Sequence, residues 1–154
     1  MSVRLNSFWD KTMTTYFNDD DEIRSLVKAF ENCEIHPEEF RHYQHLAVAL
    51  WYVAHLPFAE AATRLRCGIQ KLAAAHGKDG YHETITVFWL TMVGTFFGAA
   101  KTGSALCELA NELAQNYGHK NFIGEYYSQA LLATDEARRG WVPGDLKELP
   151  PYNG

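Results

Sequence analysis

Cysteine is scarce in this chain. The three that occur, Cys33, Cys67 and Cys107, lie far apart and form no CxxC pair. A set that is odd in number and widely spaced excludes a disulfide framework and points to reduced thiols. Cys67 is expected as a small buried hydrophobe. Basic runs are equally sparse. Apart from Arg138-Arg139 there is no basic tract, the aromatics do not alternate with Lys or Arg, and the formal net charge is −5. Those features exclude nucleic acid as the main partner. Long apolar runs are missing too. The most apolar stretch, Ile85 to Ala100, is interrupted by three threonines and two glycines and falls short of the roughly 18–20 residues of a membrane span. The opening MSVRLNSFWD lacks the apolar region of a signal peptide, so the expectation is a soluble, cytoplasmic protein with no membrane partner. There is no phosphate-binding glycine loop, dinucleotide fingerprint or serine-nucleophile elbow.

What is present is core material. Of the 154 residues 47% are hydrophobic and 14% aromatic, enough for one domain over 1–154 that buries roughly 68–70% of its unfolded surface without a disulfide or metal. The periodicity predicts an all-α fold, an irregular bundle of six to seven helices with an extended Pro-rich C-terminal strap. Residues 1–20 are expected to be the least tightly packed, with a short helix over 5–17. Asn18 to Asp20 read as an N-cap region for a helix to about Asn32, with Ile23, Leu26, Val27 and Phe30 inward. The acidic run Asp19 to Glu22 reads as its solvated start. Pro57 ends one helix and opens the next, over 58–76, whose Gly68 permits a close neighbour and whose C-terminal cap is Gly77. Residues 82–99 are rich in β-branched and aromatic side chains and have strand character. Sixteen or more residues without a breaker favour a helix, with His82, Thr86, Trp89, Val93 and Phe96 on one face. Gly103 and Ser104 start a further helix that Gly118 stops. The segment 121–140 reads as broken helix with Ser128 and Thr134 as caps. The tail holds Pro143, Pro150 and Pro151 and is expected to be tied down by Trp141, Val142 and Leu146.

The stretch Pro37 to Leu56 organises the rest. It reads as one amphipathic helix, with Pro37 at the first position and Glu38 and Glu39 in the first turn. Leu46, Ala49, Leu50 and Val53 share a face at about 100° per residue. Projected backwards, that stripe runs through His45, His42 and Glu38. Two buried imidazoles need partners for four ring nitrogens, and a metal ion satisfies one of each. A second cluster, Tyr81-His82-Glu83-Thr84, opens helix 82–99. If those two helix starts meet, His42, His45 and His82 with Glu38 form a transition-metal site for zinc or iron. Glu83 is then the general base beside metal-bound water. Arg64, Arg66, Tyr81 and Trp89 are the candidate substrate contacts. His36, His55, His76 and His119 read as plain surface residues.

Three functions therefore compete. The leading one is a metal-dependent hydrolase or oxygenase acting on a small molecule. The second is a metal-independent small-molecule binder or acid–base protein. The third is a structural or interaction protein whose histidines are buried and hydrogen-bonded, with a second copy of the chain as a candidate partner. The residues Phe40 to Leu46 (FRHYQHL), Arg64 to Arg66, Tyr81 to Thr86 (YHETIT) with Trp89, and Glu136 to Leu146 together resemble a group of small all-helical proteins of uncharacterised function that carry HxxHL and YHETIT motifs. The resemblance covers about residues 36–150. It implies a helix over 82–99 and places His42, His45, His82 and Glu83 in the motifs of the group. It implies no activity.

Overall fold

The computed structural model describes residues 15–150. The expected short helix over 5–17 falls largely outside the described residues, and so does Pro151. Among the described residues there are seven α-helices, two 3₁₀ turns and no strand, as the all-α expectation required.

Helix α1 spans Asp20–Glu31. Asp19 caps it, its carboxylate accepting from the Glu22 N–H at 3.0 Å, and three acidic residues in the first turn meet the positive end of the dipole. Ile23, Val27 and Phe30 are its buried face. The next element differs from the sequence reading. Pro37–Glu39 is a separate 3₁₀ turn, and helix α2 begins only at His42 and runs to His55. Two features divide the stretch. The ring of Phe40 turns inward and packs at a tilt against Phe30, with centroids 5.2 Å apart. The Gln44 side chain reaches back to accept from the Arg41 N–H at 2.8 Å, which caps a new helix start there. A glutamine at that place is a start signal that the apolar stripe conceals.

Helix α3, Phe58–Ala75, follows directly, with Pro57 as its N-cap rather than its first turn. It ends as expected at Gly77, whose φ is +68°. Lys78 N–H reaches Ala73 O at 2.8 Å and Gly77 N–H reaches Ala74 O at 3.1 Å, the paired bonds of a left-handed glycine cap. Helix α4 is Glu83–Ala99. Helix α5 is Leu106–Tyr117, starting later than Gly103-Ser104. Its N-cap residue, Ala105, has no capping side chain, and Asp20 of α1 takes over, accepting from the Cys107 N–H at 2.8 Å. A second 3₁₀ turn, Lys120–Glu125, leads to α6, Gln129–Leu132, and α7, Asp135–Arg139. These two are capped by Ser128 and Thr134, as the sequence predicted.

Helix α2 is the hub, with α1, α3, α4 and α5 packed around it. Helix α4 is sandwiched. Leu90 and Val93 join the main core around α2, while Phe88 and Met92 join a second apolar cluster with Ile123, Tyr126 and Tyr127. A helix buried on two sides is apolar nearly all round. That is why β-branched and aromatic residues fill it, since burial overrides their strand preference. Among the described residues no helix is long and apolar enough to cross a membrane.

Residues 141–150 carry neither helix nor strand. Trp141 and Leu146 are 48% and 59% exposed, so they are not the anchors expected of them. Val142 packs against the second apolar cluster as expected, joined by Leu149, and polar groups add the rest. Tyr127 Oη donates to Val142 O at 2.7 Å, Ser128 Oγ donates to Asp145 at 2.6 Å, and Leu146 N–H donates to Tyr126 O at 3.0 Å. Cys67 is exposed, not buried, while all three thiols are free as expected.

Candidate functional site

Helix α2 opens on His42, which places His42 and His45 in its first turn. His42 Nε2 lies 3.1 Å from the carbonyl oxygen of Tyr117, the last residue of α5. Nε2 facing a carbonyl is the protonated, donating nitrogen. The ring also meets Trp89 edge-on, with centroids 4.4 Å apart. His45 stacks on Phe40 at 3.8 Å. Burial, with the neighbouring His42 adding to it, pushes the His45 imidazole down to about 4, against a weak opposing pull from the Phe40 backbone. His45 is therefore neutral at physiological pH.

Both rings line a cavity of about 340 Å³ between α2, α3 and α4. Its walls are mostly aliphatic: Ala49 from α2, Leu65 and Ile69 from α3, Ile85 from α4 and Ile123 from the second 3₁₀ turn, with Trp89 alongside. Thr86 and Asn121 add two further polar groups. Thr86 was expected on the same face as Trp89, and it is. Asn121 had no signal in the sequence, because it lies in a turn that periodicity does not reach.

The remaining expected ligands go elsewhere. His82 is the N-cap of α4. Its Nδ1 accepts from Ile85 N–H at 3.2 Å and its Nε2 lies 2.7 Å from Leu132 O. Both ring nitrogens are spent on structure, one at the helix start and one on α6. Glu38 is 71% exposed and lies 3.7 Å from Lys78 Nζ, because the break at Phe40-Arg41 removes it from the α2 stripe. Glu83 is held by Arg66 in a two-pronged pair, Nε to Oε1 at 2.9 Å and Nη2 to Oε2 at 2.8 Å, with Tyr81 Oη donating to the same carboxylate. Arg66 first, then Tyr81, hold its carboxyl below the usual carboxylate range despite partial burial, which makes it a weak base. Burial and that same carboxylate raise the Tyr81 hydroxyl to about 12. Arg64 is exposed between Glu60 and Glu31, 3.8 Å from each. Of the expected substrate contacts, only Trp89 lines the histidine cavity, while Arg66 and Tyr81 line a separate depression with Glu83.

The residues thus do not fit a three-ligand metal centre. Among the described residues no group of three or more His, Cys, Asp or Glu side chains converges. What does assemble is an apolar cavity with two imidazoles in its wall. Compared with protein-family models, curated proteins and solved structures, the chain matches none.

Proposed function

We propose that this protein binds a small, uncharged, largely apolar molecule carrying one hydrogen-bond donor, in the cavity lined by His42, His45 and Trp89. The observation that carries this reading is a neutral His45 in the wall of a cavity whose other lining is aliphatic and aromatic apart from His42, Thr86 and Asn121. A neutral imidazole always presents one acceptor nitrogen. An acceptor in apolar surroundings selects an O–H or N–H donor, because a ligand without one leaves it desolvated and unpaired. It repays no charge, so an ionised ligand would lose its hydration for little return. The volume lies at the lower end of small-molecule sites and suits one ring or a short branched chain. Trp89 offers a flat face for such a ring.

Phenol is a suitable probe. In a methyl NMR titration of the full chain, Ile69, Ile85 and Ala49 should shift saturably, with an affinity of about millimolar or tighter for so few atoms. Ile69→Trp, which fills the cavity from the half-exposed wall of α3, should abolish the shifts. Shifts scattered over the surface, or unchanged in Ile69→Trp, would remove the reading. Elemental analysis bears on the alternative. About one equivalent of zinc or iron retained through chelator-free purification, and lost in His42→Ala, would support the metal-assisted hydrolytic or oxidative chemistry instead.

A further inference from the structure

Helix α7 ends on Arg138 and Arg139 and the chain turns at Gly140. Cations at a helix C-terminus are ordinary, since they meet the negative end of the dipole. The dipole does not explain where this helix end is placed. Thr84, wholly buried in the first turn of α4, donates to Gly140 O at 3.0 Å and accepts from Val142 N–H at 3.2 Å. That hydroxyl clips the end of α7 over the start of α4, where Tyr81 and Glu83 stand. Arg66 enters from α3. The result is an open depression of about 540 Å³ with three guanidinium groups in its lining.

Two carboxylates line it as well, Asp79 and Glu83, so the formal balance is three positive against two negative, or +1. Glu83 is already committed to Arg66 through two hydrogen bonds. Those bonds use Nε and Nη2 and hold the Arg66 fork in one orientation. Neither Arg138 nor Arg139 makes an ion pair among the described residues. This concentration of unmatched guanidinium stands in a chain of net charge −5.

We propose that this depression binds a phosphate-type dianion, either free phosphate or the terminal group of a small phosphomonoester, with Arg138 and Arg139 as its main contacts and Arg66 as the fixed third. A carboxylate occupies one guanidinium fork. A tetrahedral group with three acceptor oxygens and nearly two charges serves several forks at once. Gln70 adds a neutral amide donor in the same lining. The site is separate from the histidine cavity and does not depend on what that cavity binds.

The test is an amide and arginine side-chain NMR titration of the full chain at low ionic strength, with inorganic phosphate as the probe. Saturable one-to-one shifts are expected at Arg138, Arg139, Gly140 and Tyr81, with acetate about tenfold weaker or more. The Arg138→Gln/Arg139→Gln double variant should weaken phosphate binding by about tenfold or more. Both side chains are exposed, so losing their contact with the helix dipole should lower its melting temperature without phosphate by no more than a few degrees. Phenyl phosphate serves as the monoester arm. Tighter binding than phosphate assigns the site to a monoester, and equal or weaker binding assigns it to the free ion. Shifts that never saturate and track chloride equally, acetate binding as tightly as phosphate, or full affinity in the double variant would each overturn the proposal.

Discussion

His45 carries the clearest physical signature in the molecule. Its imidazole titrates near 4 in the folded chain and near 6.5 when unfolded. The folded state therefore binds fewer protons between those values. Stability is complete above about pH 6.5, declines as the unfolded state takes up a proton, and stops declining below about 4 where both states are charged. The full difference is at most about 3 kcal/mol, less whatever solvent at the ring edge screens. Urea unfolding between pH 7 and 4 should show this decline, and His45→Phe, which keeps the stack on Phe40, should flatten it. Glu83 presents the opposite case. A carboxylate held by both prongs of Arg66 contributes stability rather than proton transfer. Glu83→Gln should lower stability by about 1–3 kcal/mol, because it leaves a half-buried guanidinium underpaired. A variant of unchanged stability would reopen its role as a base.

At the scale of elements, the sequence was most readable where one residue decides a boundary. Asp19, Gly77, Ser128 and Thr134 each stand where their chemistry predicts. It was least readable where a partner distant in the chain decides. Asp20 of α1 caps α5, and no local pattern around Ala105 shows that. The start of α2 was misplaced because the inward turn of Phe40 depends on Phe30 across the interface. The expected close neighbour of Gly68 is that same Phe30, since a Cβ at Gly68 would lie 2.3 Å from its ring. An alanine in an ordinary helix gains about 1 kcal/mol over glycine. Here Phe30 is fully buried and has no room to withdraw, so overpacking of about 1–3 kcal/mol outweighs the gain. Gly68→Ala should lower the melting temperature, and pairing it with Phe30→Leu should recover part of the loss.

On the scale of the whole molecule, the all-α fold was legible because 3.6-residue periodicity is local, and it held even in α4, where composition argued for strand. The site was legible only in half. His42, His45 and Trp89 meet around one cavity, as facing stripes on neighbouring helices suggested. His82 and Glu83 do not join them, because a helix-opening motif says nothing of its rotation. Rotation was set by Leu132 on α6 and Arg66 on α3, each reached only by folding. The whole account turns on a neutral acceptor in the wall of an apolar cavity. Phenol and benzene differ by one hydroxyl and have nearly the same shape. Measured side by side against the native chain and His45→Phe by methyl NMR, phenol should bind the native protein about tenfold or more tighter than benzene. That preference should vanish in His45→Phe while benzene binding persists. Equal affinity for the two in the native chain, or a phenol preference unchanged by His45→Phe, would contradict it.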